Sequence, residues 1–231
     1  MLLEICASSL QSAINAQAGG AQRIELCCSL EQGGLTPSHG TIKLARQALS
    51  IEIFVLIRPR AGDFAYTELE IAQMQEDILF CKSIGIDGVV FGVLNEQNEI
   101  DFERNKQLIA LAKPMQTTFH RAFDCLKNPM LGLEQIIEVE FDRILTSGLE
   151  STAIEGKILL KKLIEQAQEK IIILPGSGLN SQNISDFIAF TKTKEVHASA
   201  KKIISPATDS LFSMPYFETD VNEVRRLMAI L

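Results

Sequence analysis

The sequence predicts a single-domain (β/α)8 barrel of the TIM type spanning residues 1–231, with one further helix at its C-terminal end. Three observations carry this. Eight short apolar runs rich in β-branched residues recur along the chain. Stretches of roughly 10–15 residues with helical periodicity separate them, the alternation of βαβ units and a parallel sheet. The first run is followed by Cys6-Ala7-Ser8-Ser9, without the glycine-rich phosphate loop expected of a doubly wound sheet.

The elements follow in order. Leu2–Cys6 is the first strand, and Ser8 with Gln11 reads as a capping box opening a helix with Leu10, Ala13, Ile14 and Gln17 on one face. Gly19-Gly20 ends that helix, and Arg23–Leu26 is the second strand. Gly33-Gly34-Leu35-Thr36-Pro37-Ser38 is a glycine-led entry into the next helix, before the third strand, Ile51–Ile57. A helix holding Met74, Ile78 and Cys81 stops at Gly85, and Gly88–Phe91 and Met115–Phe119 are the fourth and fifth strands. Leu133, Ile136 and Ile137 mark a helix before the sixth strand, Arg143–Thr146. The helix Ile154–Ala167 leads to the seventh strand, Ile171–Leu174, and Glu195–His197 is the eighth. Asp220 with Glu223 opens the final helix through Leu231, and no linker or low-complexity segment interrupts the series.

Composition narrows the function. Lys+Arg 22 against Asp+Glu 29 gives a net charge of −7, which disfavours nucleic acid and anionic membrane surfaces as partners. The opening MLLEICASSL lacks the basic region and long apolar run of a signal peptide, and no apolar stretch approaches the roughly 20 residues of a membrane span. Five cysteines without framework spacing point to reduced thiols and a cytoplasmic location. The apolar residues of Ile154–Ala167 suffice to pack it on the barrel, with no clear surplus for a homo-oligomer interface; self-association is left open.

Strands buried on both faces should be almost wholly apolar, and several here are not. Leu3-Glu4-Ile5-Cys6 and Ile24-Glu25-Leu26-Cys27 repeat a carboxylate followed two residues later by a thiol. With period-two alternation and the apolar pairs against the helices, Glu4, Cys6, Glu25 and Cys27 face the barrel interior. The same reading turns Glu195, His197 and Ser199 inward. The third strand ends in Arg58-Pro59-Arg60 and the fifth in His120-Arg121, at the C-terminal ends where barrel enzymes work. A charge-compensated plug would account for some of these groups, and a functional pocket accounts for more of them. Cys6 and Cys27 end adjacent strands about 4.8 Å apart and could hold a soft ion such as Cu(I), unless their different interior layers offset them. Cys28, Cys81 and Cys125 read as incidental. Gly176, Ser177 and Gly178 follow the seventh strand and Ser199 the eighth, where barrels bind phosphate through backbone N–H groups and hydroxyls.

Several runs resemble one family. They are Glu4-Ile5-Cys6, Arg23 to Cys27, Gly33 to Ser38, Ile57 to Arg60 with Gly62-Asp63-Phe64, and Asp87 to Gly92. Thr118-Phe-His-Arg-Ala-Phe-Asp124, Ile144 to Gly148 and Glu195-Val196-His197 complete the set. In this order they closely resemble the copper homeostasis protein CutC family, up to about Ala200. The chain departs from that pattern at Ala61, at Ser177 and through the segment Lys201–Thr219. The resemblance implies a TIM-type barrel, a cytoplasmic location and Cu(I) binding, and by motif the copper cysteines fall on Cys6 and Cys27.

The expected function is therefore cytoplasmic copper homeostasis, with Cu(I) bound by Cys6 and Cys27. The alternative is a barrel enzyme (isomerase, epimerase or lyase) acting on a small phosphorylated or carboxylated metabolite. There Glu25, His120 and His197 move protons, while Glu4, Arg58, Arg60, Arg121, Gly176, Ser177, Gly178, Glu195 and Ser199 build the pocket around the anion.

Overall fold

A computed structural model of the chain describes residues 1–205, 211 and 213–231. Eight parallel strands form one sheet: β1 (Leu2–Ala7), β2 (Arg23–Leu26), β3 (Glu52–Leu56), β4 (Gly88–Phe91), β5 (Gln116–Phe119), β6 (Arg143–Thr146), β7 (Ile172–Pro175) and β8 (Glu195–Ala198). Hydrogen-bonded neighbours run in the order β7-β6-β5-β4-β3-β2-β1-β8. β7 and β8 lie side by side, with Thr193 Oγ1 donating to the Ile173 carbonyl, so the cylinder is nearly closed. This is the barrel that the alternating runs predict.

Helices α1 (Leu10–Gly19), α2 (His39–Ala48), α3 (Glu68–Ser83), α4 (Phe102–Ala112), α5 (Pro129–Val139), α6 (Lys157–Ala167) and α7 (Ile184–Thr191) surround the strands, and α8 (Val221–Ile230) follows. The first cap differs from the expectation. Ser9, not Ser8, is the N-cap of α1, accepting from Ser12 N–H, because its extended backbone (φ −160°) turns the side chain onto the first helical turn. α6 begins at Lys157 rather than Ile154, since residues 153–156 form a turn. The end of the chain also differs: Asp220 caps α8 through Asn222 N–H, while the Glu223 carboxylate accepts from Ser181 instead of closing a capping box.

Part of the segment Lys201–Thr219 forms an antiparallel hairpin that the sequence reading did not include, β9 (Lys201–Ile204) with β10 (Tyr216–Thr219); residues 206–210 and 212 lie outside the described ones. Among the described residues no helix is long and apolar enough to cross a membrane.

The core splits as the pleat dictates. Leu3, Ile5, Ile24, Leu26, Ile53, Val55, Val89 and Ile144 face the helices in one large apolar shell. Inside the cylinder the apolar residues are few: a cluster of Cys6, Cys27, Phe54, Leu56 and Val90, with Leu145 on the cavity wall. The rest of the interior is polar, and it positions the site.

Candidate functional site

Register sets the layers. Across β2, β1 and β8, Arg23, Glu4 and His197 are Cα partners, and one pleat higher Glu25 pairs with Cys6. Residues in register on parallel strands point to the same face, so the first three form a layer deep in the barrel and the next pair lies above it.

The deep layer is an ion network. Arg23 is fully buried, and it donates through Nε to Glu4 and through Nη2 to Glu195. Arg143 Nε reaches the same Glu195 oxygen at 3.1 Å. The two guanidiniums sit over Phe54, 4.8 and 5.0 Å from the ring centre. Glu4 Oε1 meets His197 Nδ1 at 2.7 Å. Burial alone would raise the Glu4 pKa, but Arg23 and His197 outweigh it and hold the carboxyl down at about 2. For His197, too, burial is outweighed: its contacts with Cys6 and Glu4, and the charges of Glu25 and Glu4, raise its pKa well above the ordinary value.

Above this layer, Cys6 Sγ stands 3.7 Å from Cys27 Sγ and 3.7 Å from Glu25 Oε1. Cys27 is two residues beyond the register partner of Cys6, yet the offset leaves the sulfurs within reach. The neighbouring thiol, burial and Glu25 all favour the protonated form of Cys6 and push its pKa well up, against the opposing effect of His197. Burial, with the charge of Glu4 and against that of His197, also raises Glu25. Ligand atoms of Cys6, Glu25 and Cys27 lie within 4.8 Å of one another, as do those of Glu4, Glu25 and His197.

A cavity of about 670 Å3 opens over these groups at the C-terminal end of the barrel. Cys6, Glu25 and His197 line it, together with Arg58, His120, Arg121, Ser177, Gly178 and Ser199. Eleven of the fourteen site residues read from the sequence were thus either brought to this cavity or placed beneath it as Glu4 and Glu195. Cys27 packs against the floor, 3.7 Å from Cys6. Arg121 is ion-paired to Asp124 at 2.8 Å, and the Ser177 hydroxyl donates to the Ser151 carbonyl.

Two residues sit elsewhere. Arg60 does not line the cavity: its guanidinium is spent on Glu70 at 2.6 Å, Asp63 at 2.9 Å and nearby carbonyls. The acidic partners on the following loop and on α3 draw it outward. Gly176 also stands back from the cavity, because the chain there presses on its neighbours. A Cβ at Gly176 would lie 2.6 Å from Leu145 Cδ1 and 3.3 Å from His197 Cβ, so the residue makes room for His197 rather than for a ligand.

Sequence reasoning missed Arg23 and Arg143 as interior groups. The alternation already contained them: Arg23 is two residues before Glu25, and Arg143 two before Leu145, which lines the cavity. It also missed Phe64, Asp124 and Lys201, which come from loops and from β9 where no periodicity marks orientation.

The family model of the CutC family matches residues 1–202. The chain belongs to the CutC family. Curated relatives agree: this CutC family member is 42% identical to a human copper homeostasis protein cutC homolog, over 99% of this chain and 88% of that one. It is 48% identical to a CutC family protein of Parabacteroides distasonis, over 88% of this chain and 84% of that one. A solved structure of a CutC from Streptococcus agalactiae superposes with a TM-score of 0.82 at 35% identity, covering 86% of this chain and 98% of that one. Phosphoribosylanthranilate isomerase from Thermotoga maritima shares the barrel with a TM-score of 0.61 at 14% identity, a likeness of fold alone.

Proposed function

We propose that this CutC family member serves copper homeostasis in the cytoplasm by binding Cu(I) through the thiolates of Cys6 and Cys27. The observation that carries the reading is the 3.7 Å approach of two buried sulfurs at the floor of an accessible cavity. Soft thiolates select Cu(I) over the harder divalent ions. With the ~2.3 Å metal–thiolate bond of zinc sites as a scale, a linear S–metal–S unit needs about 4.6 Å between sulfurs. At 3.7 Å the ion sits off the line joining them, where a third donor completes its coordination. Glu25, whose ligand atom lies within 4.8 Å of both sulfurs, is placed to be that donor.

Cu(I) titrated anaerobically into the wild-type protein and into Cys6→Ser/Cys27→Ser tests the reading. One tight equivalent in the wild type, lost in the variant, is expected; equal weak binding in both would falsify it. The isomerase and aldolase barrels among the structural neighbours are 11–14% identical and add nothing to the enzyme alternative.

A further inference from the structure

Arg58 carries a buried positive charge that no carboxylate neutralises. It is 6% exposed, at the end of β3, and among the described residues it makes no ion pair. Its Nη1 donates to the carbonyls of Gln32 at 3.0 Å and Gly34 at 2.9 Å, and its Nη2 to that of Gly62 at 3.0 Å. Nε is buried and makes no hydrogen bond, and the Tyr66 hydroxyl beside the guanidinium is likewise without a geometric partner. A guanidinium has five N–H donors, so Nε–H and one Nη2–H remain unspent. Carbonyl dipoles replace hydration only in part, and an uncompensated buried charge is expensive. The other buried arginines of the barrel, Arg23 and Arg143, each have carboxylates against them.

His120, next to Arg58 on the same cavity, is the second unsatisfied donor. It is 4% exposed, and its Nδ1 accepts from Ala122 N–H at 3.3 Å. That assigns the ring proton to Nε2, which has no partner. Burial, and then the charge of Arg58, lower the His120 pKa to about 3, so at neutral pH the ring is an uncharged donor.

On the facing wall, Ser177 and Gly178 both take left-handed backbone (φ 77° and 78°). Among the described residues no hydrogen bond engages their backbone N–H groups or the Ser199 hydroxyl. Among the described residues Lys201, its ammonium 4.1 Å from the Phe217 ring centre, adds a second positive charge without a carboxylate partner. Leu30, Leu56, Phe64 and Leu145 give the cavity its apolar lining, with Phe64 the largest; the Glu25 and Asp124 carboxylates also line it, Asp124 paired with Arg121.

We propose that the cavity at the C-terminal mouth of the barrel is a binding site for a small organic anion, whose carboxylate or phosphate oxygens take the free donors of Arg58 and His120. The anion supplies the countercharge that Arg58 lacks, and Phe64 covers its carbon part. The volume matches a metabolite-sized ligand. Cys6 lines the same cavity, but no thiol is among the donors that hold the anion, so binding does not depend on Cu(I).

The test is calorimetric titration of the full-length, metal-free protein with inorganic phosphate and with malonate, at ionic strength matched with potassium chloride. Imidazole 15N spectra follow His120 alongside. Saturable one-to-one binding of at least one probe is expected, with the His120 Nε2 resonance shifting. Phosphate alone binding assigns a phosphoryl ligand, and malonate alone a carboxylate. His120→Phe and Lys201→Gln should each weaken binding, the former by about tenfold. Cys6→Ser/Cys27→Ser should bind within about twofold of wild type, which separates failure of this site from failure of the copper site. Arg58→Lys keeps the charge, and should retain part of the affinity even where the loop contacts of Arg58 are weakened. The proposal is overturned by an absence of saturable binding with both probes in the wild type, by binding that leaves the His120 resonance in place and survives His120→Phe, or by binding lost with the thiols.

Discussion

Replacing Arg23 by Met should be among the most damaging single changes in this barrel. Arg23 is 0% exposed and Glu4 1%, and Arg23 also reaches Glu195, which is 8% exposed. The substitution leaves Glu4 with His197 alone and Glu195 with Arg143 alone. Removing one member of a buried ion network typically costs about 3–5 kcal/mol, because the remaining charge stays buried and unpaired. For a chain of this size, about 2–4 °C of Tm per kcal/mol translates this into a fall of roughly 6–20 °C. Adding Glu4→Gln to Arg23→Met removes the orphaned charge and should restore about half of the loss. The pH dependence gives an independent check. The Glu4 carboxyl, held at about 2 in the folded protein against 4.5, contributes stability that is present above about 4.5 and lost as pH falls towards 2. Without Arg23 its pKa rises, so the deficit of Arg23→Met should narrow as the pH is lowered through that window. Thermal and urea unfolding of the two single variants and the double variant measures all three effects. A loss below about 1 kcal/mol at pH 7, or single-variant effects that simply add in the double variant, would show that the network is no more than a surface-like pairing.

Three further outcomes follow from the site. His120 is held neutral at about 3, so between about 6.5 and 3 the unfolded chain binds a proton that the folded one refuses; stability should fall by a few kcal/mol as pH drops through that window. His120→Gln should flatten the curve of stability against pH there, and an unchanged slope would remove His120 as its cause. Cys6 is held protonated by its neighbours, so Cu(I) binding should release protons and tighten as pH rises; calorimetry in buffers of different ionisation enthalpy counts the protons, and none released would contradict it. Gly34 has φ 87°, and a Cβ there would lie 2.8 Å from Leu56 Cδ2 and 3.7 Å from Cys27 Sγ; Gly34→Ala should cost about 1–3 kcal/mol and weaken Cu(I) binding, measured by unfolding and by competition with a chelator.

The barrel and the inward face of its first two strands were legible because period-two alternation is a local property. Leu3 and Ile5 packed against the helices force Glu4 and Cys6 inward, whatever the rest of the chain does. The 3.7 Å approach of Cys6 and Cys27 was not legible, since it depends on how the strands stagger around the cylinder; Cys6 pairs in register with Glu25, not Cys27. Arg60 was misplaced for a related reason. Arg58 and Arg60 lie two apart and so seem to share a face, but the strand ends at Leu56, and beyond it alternation no longer dictates direction. There the acidic side chains of Asp63 and Glu70 decide. The β9–β10 hairpin escaped because its strand Lys201–Ile204 is largely exposed, with Ile203 66% exposed, and leaves no buried alternation to read.

Twelve polar or thiol residues at or near strand ends admitted two readings from sequence, a charge-compensated plug or a pocket, and the structure sorts them into two layers. In the deep layer each charge meets its opposite: Arg23 with Glu4 and Glu195, Arg143 with Glu195, and His197 with Glu4. The charges of this layer are balanced without a ligand, although Arg23 Nη1 and Arg143 Nη1 make no hydrogen bond, and Glu4 holds His197 below the thiols. One pleat and more above it, among the described residues, Arg58 keeps a charge with no carboxylate, and His120 Nε2 keeps a donor with no acceptor. Both layers are built from buried polar side chains, so burial and residue type cannot tell plug from pocket. What separates them is whether each charge meets an opposite one: the deep arginines Arg23 and Arg143 have carboxylates against them, and among the described residues Arg58 has none.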